Sequence, residues 1–279
     1  MLRLVAIMLM ASLAGAVLLR VAPGFSSDQQ QLNAGLSSQS IAAIRQARLA
    51  DADVPHYYFR FLSSLVRGDL GASHELNQPV SQLLRERLPV TLRSLAIALL
   101  VAWVAGLGLA LASQLVNSRV FIFFADGLSG AFIATPAAVL ALIMVLLRMP
   151  PELAAALLVF PKIYRYAQNL LQNGYEMPHV LTARARGAGA WRVLAWHVAP
   201  SALPQLLALL GVSVSIALGI LLPIEVICDV PGIGQLAWQA AESRDLNLLV
   251  NLTLVVTLAT VCATTFSDIA RRSLTRSAS

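Results

Sequence analysis

Charge is what this sequence most lacks. Asp, Glu, Lys and Arg make up 12% of its 279 residues, against roughly a quarter in an ordinary soluble domain. A single lysine, Lys162, stands among the 20 basic residues, flanked by Pro161 and Ile163. That excludes the Gly-Lys-(Ser/Thr) core of a P-loop, so the chain has no P-loop of its own with which to hydrolyse ATP. The two cysteines, Cys228 and Cys262, form no CxxC pair and have no histidine nearby, so neither a disulfide framework nor a metal site follows. The four histidines (His56, His74, His179 and His197) fall on different segments. No convergent catalytic or metal-binding set is legible, and none is expected. Aromatic residues are only 6%, and no basic run interleaves with them in a soluble stretch. The net charge of +6 therefore does not point to nucleic acid.

What the chain has in excess is apolar sequence. Hydrophobic residues make up 58%, above the roughly 45–50% of soluble domains. The apolar residues are gathered into runs near the length of about 20 residues that crosses a bilayer. Leu4–Leu19 reads as an uncleaved first span, because Leu18-Leu19-Arg20-Val21 makes a poor signal-cleavage site. Residues 22–90 are polar and mixed in charge, with two amphipathic pieces at Ser40–Ala52 and Tyr57–Val66 that suit helices lying on a surface. Further spans are expected at Thr91–Val116, at Val120–Leu147 with Pro136 near its middle, at Leu203–Ile224 and at Leu246–Phe266. Between them lies a weaker run, Leu153–Phe160, which Pro161, Lys162 and Arg165 cut short. The expected architecture is an all-α, polytopic membrane bundle of about six transmembrane helices. Residues 1–21 form the first helix, 22–90 an external loop with short helices, and 91–279 the transmembrane core.

Charge distribution orients the bundle. With the N-terminus inside, the inner short segments hold Arg3, Arg119, Lys162, Arg165, Arg184, Arg186, Arg192, Arg271, Arg272 and Arg276, while the outer short loops hold Arg148 and Arg244. Basic residues accumulate on the cytoplasmic side, so both termini are expected there. Asp126 and Asp268 lie near inner ends, where headgroup water accounts for them without a proton relay.

The inner stretch from residue 174 to residue 204 is too regular for a connector. His179–Arg186 can form a short helix, with Ala183 and Ala185 small enough for close approach by a partner. Gly187 and Gly189 are expected to break it. Trp191, Leu194, Ala195 and Val198 then recur at helical spacing as an apolar stripe that ends at Pro200. The helix before the glycines should start at or after Pro178, since proline lacks the backbone donor and restricts its neighbour.

This stretch resembles the cytoplasmic EAA loop of the permease subunits of binding-protein-dependent ABC importers, in their dipeptide/oligopeptide and nickel branch. The resemblance rests on Thr182-Ala183-Arg184-Ala185-Arg186-Gly187, on Arg192-Val193-Leu194 followed by His197, and on Leu203-Pro204. Other pieces agree in order: Leu19-Arg20-Val21-Ala22-Pro23-Gly24, Arg67-Gly68-Asp69-Leu70-Gly71-Ala72-Ser73, Glu86-Arg87-Leu88-Pro89-Val90-Thr91-Leu92, and Glu225 followed by Val230-Pro231-Gly232-Ile233-Gly234. The chain departs from the branch in its short Arg148–Glu152 connection, in the Glu176-Met177-Pro178 step, and in closing at Arg271-Arg272-Ser273.

The resemblance implies a type I importer permease fold in the bacterial inner membrane. It also implies a partner set of two ABC ATPase subunits, a second homologous permease, a periplasmic substrate-binding protein and the lipid bilayer. ATP and Mg would belong to the partners, and no cofactor to this chain. Thr182, Ala183, Arg184, Ala185, Arg186 and Gly187, with Trp191, Arg192, His197 and Pro204, are the implied ATPase-coupling residues. Beside that role, the arginines could simply hold the loop at the headgroups, the two tryptophans could be interfacial anchors, and His197 a structural hydrogen-bonder. Glu225, Pro231, Gly232 and Gly234 are implied at an outer mouth or gate, or as a turn whose glycines serve geometry. A secondary transporter would want mid-membrane acids and an internal repeat, and neither is present. A non-transporting membrane scaffold is the other alternative. The substrate, peptide by resemblance, is not written in the residues.

Overall fold

The computed structural model describes residues 67–277, apart from residues 74, 117 and 244. The expected first span, the two amphipathic surface pieces and the Leu19–Gly24 motif lie outside the described residues. Among those described, the helices in chain order are α1 Val80–Val116, α2 Arg119–Ala134, α3 Ala137–Leu146, α4 Pro151–Tyr175, α5 Pro178–Ala185, α6 Ala190–Val193, α7 Ala199–Ile227, α8 Ile233–Glu242 and α9 Leu246–Ser277. A π-helical turn, Leu194–Val198, joins α6 to α7. The fold is all-α: among the described residues the β geometry is one isolated bridge between Ala72 and Pro79.

Three helical stretches are long and apolar enough to cross a bilayer: 80–116, 190–227 and 247–271. The pair α2–α3 would make a fourth, but it is bent by 94° between its halves. The single span expected over Val120–Leu147 is therefore broken. Pro136 is the reason: it forces Thr135 into extended backbone (φ −79°, ψ 125°), as a residue before proline prefers, and a new helix starts after it.

The weak fourth segment is also corrected, in the opposite direction. Helix α4 does not stop at Pro161 but continues through it to Tyr175. Packing overrides the missing donor, because α4 buries Ala154, Ala155, Leu158, Val159, Phe160, Ile163, Tyr164, Ala167 and Leu171 along its length. Close packing of these side chains against neighbouring helices, with the hydrogen bonds to α2 that follow, offsets the cost of the interior proline, about 3 kcal/mol. Its polar residues find partners in α2: Tyr164 donates to Asp126 at 2.9 Å, and Arg165 Nε donates to Ser129 at 3.1 Å. Helix α1, for its part, begins at Val80, ahead of the expected Thr91.

The chain forms two compact units, which in the described residues are 67–87 with 236–258, and 88–235 with 259–277. In the larger, a core of Leu95, Ala98, Ala102, Leu140, Met144, Phe160, Ile163, Leu218, Leu221 and Ile224 joins α1, α3, α4 and α7. Inside it Trp103 Nε1 donates to Ser213 at 3.0 Å, so the indole nitrogen is not left bare in an apolar interior. A second core, with Tyr164, Leu171, Val180, Val193, Leu194 and Val198, seats the 174–204 segment on α4.

In the smaller unit, the Arg67–Ser73 motif is clamped to the start of α9. Asn247 Nδ2 donates to the carbonyls of Leu70 (3.2 Å) and Ala72 (2.9 Å), and Asn251 Nδ2 donates to Leu70 at 3.1 Å. The buried Asp245 accepts the Ser73 hydroxyl at 2.6 Å. It also accepts the backbone N–H of Leu248 at 3.1 Å, capping α9 with the same carboxylate.

Candidate functional site

Two of the segments singled out by the sequence carry polar side chains in defined geometry, and both lie within the larger unit. The first is the 174–204 segment. Helix α5 starts at Pro178, with Met177 extended before it (φ −67°, ψ 139°), so the proline sits in the first turn where its missing N–H costs nothing. The helix closes after Arg186. Gly187, at φ +81°, donates its N–H to Arg184 O at 2.9 Å, and Ala188 donates to Ala183 O at 3.2 Å. This pair of bonds is a Schellman cap, which calls for a left-handed residue at the position Gly187 occupies. Gly189 is different from what its spacing suggested: it is the extended N-cap of α6 (φ −63°, ψ 153°), a conformation open to any residue. One glycine, Gly187, makes the elbow.

The second arm is corrected as well. It is not a separate short helix ending at Pro200, because α6, the π turn and α7 run on as one stretch over 190–227. The π turn falls immediately before Pro200, whose ring and missing donor an ordinary α-turn does not accommodate. It also rotates the apolar stripe. Val193, Leu194 and Val198 are buried, while Trp191 and Ala195 face outward. Trp191 and Trp196 are 64% and 76% exposed. Spacing alone put Trp191 and Ala195 on the buried face, since an α-periodic reading cannot foresee a wider turn.

An open cleft of about 530 Å³ lies between the two arms, lined by His179, Thr182, Ala183, Arg186, Gly187, Ala188, Arg192 and His197. His179 Nε2 reaches the carbonyl of His197 at 3.2 Å, and the two rings meet edge to face with centroids 6.5 Å apart, tying arm to arm. The Thr182 hydroxyl donates to Pro178 O at 2.9 Å, within its own helix. Arg184 takes no part in the cleft: its guanidinium lies over the ring of Tyr175, 4.7 Å from the centroid, a cation–π contact. Ala185 and Trp191 are exposed away from the cleft, and Pro204 is half-buried within α7.

The second segment is the turn between α7 and α8. Glu225 is 1% exposed. Its Oε2 accepts the Gly234 N–H at 2.7 Å. The Thr91 hydroxyl accepts the Ile233 N–H at 2.8 Å. Glu225 Oε1 has no hydrogen-bond partner among the described residues. Gly232 and Gly234 are both buried and are glycine for want of space. A Cβ on Gly232 would run into the Glu225 carboxylate, and one on Gly234 into the carbonyl of Leu222. Of the four residues expected here, only Pro231 is exposed. One oxygen of the carboxylate, Oε2, is engaged by the protein's own turn.

Sequence reasoning passed over Thr91 as a ligand of this turn, Tyr175 as the seat of Arg184, and the Asp245–Asn247–Asn251 clamp. The asparagines left a signal, a pair spaced i, i+4 at the polar start of an otherwise apolar helix. Thr91 and Tyr175 left none, because their partners are distant in sequence. Among the described residues no group of three or more His, Cys, Asp and Glu is arranged to hold a metal ion.

The chain as a whole resembles known proteins. The family described as "Binding-protein-dependent transport system inner membrane component" matches residues 104–279. A protein of Brucella suis biovar 1 named as a peptide permease is 26% identical, the alignment covering 91% of this chain and 89% of that protein. The oligopeptide transport system permease protein OppB of Escherichia coli K12 is 25% identical over 86% of this chain and 84% of its own length. Among solved structures, an inward-facing form of the MetNI methionine ABC transporter matches with a TM-score of 0.62 at 17% identity. That match covers 69% of this chain and 96% of the other.

Proposed function

This chain belongs to the family of binding-protein-dependent transport system inner membrane components, and from that premise we propose that its 174–204 segment couples it to separate ATPase subunits. The chain is a membrane-spanning permease subunit of such a transport system. It works as a transport subunit, with nucleotide hydrolysis assigned to its partners. The observation that carries the coupling reading is the Schellman-capped α5 and the cleft behind it: a rigid polar projection whose outward side chains have few partners of their own. Thr182, Ala183, Arg186, Gly187, Arg192 and His197 face or frame the docking surface, and Arg184 stiffens it through Tyr175. ATP-driven closure of the ATPase pair would bias the permease between inward-open and outward-open states through this contact.

The rest of the assembly follows from the same reading. Two ATPase subunits, a second homologous permease and a periplasmic binding protein complete the importer. ATP and Mg are held by the ATPase subunits, and no cofactor by this chain. Both termini are cytoplasmic, and residues 22–90 lie on the periplasmic side. The cargo is peptide or a related small solute, the reading supported by relatives named for peptide and oligopeptide transport.

A mild-detergent pull-down of the tagged full chain, wild type beside Gly187→Asp, tests the coupling assignment. The substitution puts a side chain on a left-handed residue, with no atom within 4 Å of where its Cβ would stand, so its effect is on the elbow and what docks there. The wild type is expected to bring down an ATPase and a second permease, and the variant to lose the ATPase alone. A variant that kept its ATPase would remove the elbow from the coupling surface.

A further inference from the structure

We propose that the cleft behind α5 is a receptor for a carboxylate side chain projecting from the ATPase partner, gripped by Arg186 and Arg192. This inference rests on the coupling reading above and gives the docking surface a chemistry. Three arginines stand in the segment, and the structure divides them. Arg184 is engaged internally on the Tyr175 ring. Arg186 and Arg192 both line the cleft, are exposed, and have no acidic partner among the described residues. No Asp or Glu lines the cleft with them.

The energetic argument is one of desolvation. Thr182, Ala183 and Gly187 form the same wall that the coupling reading gives to the ATPase, so a docked partner covers the cleft. Covering two guanidinium groups without a counter-charge carries a desolvation penalty, which would oppose docking. An acid on the partner removes that penalty, and the planar fork of arginine suits a carboxylate in two-bond contact. The Schellman cap and the His179–His197 tie fix one arm against the other, so the receptor is formed before the partner arrives. An anionic lipid headgroup would match the charge, but it would leave the docked wall without its own complement.

The test uses the full chain, paired with its co-purifying second permease, in nanodiscs of zwitterionic lipid, and the co-purified ATPase as the probe. Binding is titrated at several salt concentrations. Arg186→Glu with Arg192→Glu is expected to weaken ATPase binding at least tenfold and to flatten its salt dependence. Lysine at both positions should keep the salt dependence but recover only part of the affinity, since an ammonium keeps the charge and loses the two-bond fork. A photo-crosslinking residue at position 188 should capture a segment of the ATPase that contains Asp or Glu. Wild-type affinity and salt dependence in the double reversal, while Gly187→Asp abolishes binding, would overturn the carboxylate receptor and leave the coupling reading standing. A crosslink to lipid in anionic nanodiscs, with ATPase affinity unmoved, would also overturn it. An ATPase that binds neither wild type nor variants, or all of them equally, would bring down both readings.

Discussion

The elbow at Gly187 and the turn at Gly232–Gly234 are both glycine-dependent, for opposite physical reasons. Gly187 has empty space around it and a φ of +81°, so what it needs is backbone freedom. Gly232 and Gly234 have no positive φ, but neighbouring atoms occupy the places their side chains would take. The first lies on an exposed projection whose cleft cations lack internal partners. The second is buried, and Glu225 Oε2 and the Thr91 hydroxyl accept its backbone amides. A loop that leaves polar capacity outward is arranged for a partner, and one that spends it inward is arranged for its scaffold.

The largest effect should come from the buried turn. Gly234→Ala, whose Cβ meets backbone, is expected to lower stability by about 3 kcal/mol, at the upper end of overpacking costs. Thermal unfolding of the purified complex would read this as a clear drop in midpoint. Gly232→Ala sharpens the point, because its obstacle is a side chain. Its cost should shrink more in a Glu225→Ala background than that of Gly234→Ala, whose Cβ meets the Leu222 backbone before the Glu225 carboxylate. A double-mutant cycle measures the difference, and equal coupling in the two cycles would refute the separate origins drawn for these glycines.

Next in size is the clamp on α9. Asp245→Ala removes a helix cap and leaves the Ser73 hydroxyl without its acceptor, a loss of about 2 kcal/mol. Hydrogen exchange should rise in the first turn of α9 and in residues 70–79, and exchange confined to α9 alone would separate cap from clamp. The smallest effect is expected at the elbow. Gly187→Ala costs about 1–2 kcal/mol of left-handed strain, and Gly187→Asn should cost less, since Asn tolerates that conformation. Transport assays beside unfolding curves should show ATP-coupled uptake falling further than stability does for Gly187→Asp. A parallel fall in both would reduce the elbow to a scaffold feature.

Much of the helix layout was legible because a bilayer demands long apolar runs and because proline and glycine punctuate them. The runs behind α1, α7 and α9 were found in this way, as was the start of α5 at Pro178. Local pattern misjudged α4, where buried packing carries the helix past Pro161. It missed the break at Pro136, because hydropathy does not register a kink. In the 174–204 segment, periodicity put the stripe on Trp191, Leu194, Ala195 and Val198; the structure buries Leu194 and Val198 together with Val193 and turns Trp191 and Ala195 outward. The motif residues were in view, but the division of labour among the arginines was not, since it depends on where Tyr175 ends α4.

The sequence by itself determined the membrane class, the absence of a P-loop, the family resemblance and the positions of its motifs, all of which follow from residue type and local spacing. Tertiary structure alone decided which polar groups are spent and which are free. That Glu225 and Thr91 serve the Val230–Gly234 turn, that Arg184 rests on Tyr175, and that Arg186 and Arg192 share an acid-free cleft depend on contacts between residues distant in sequence or on opposite arms of a turn. Such contacts are settled by packing, because a buried polar group is stable only where the fold brings it a partner.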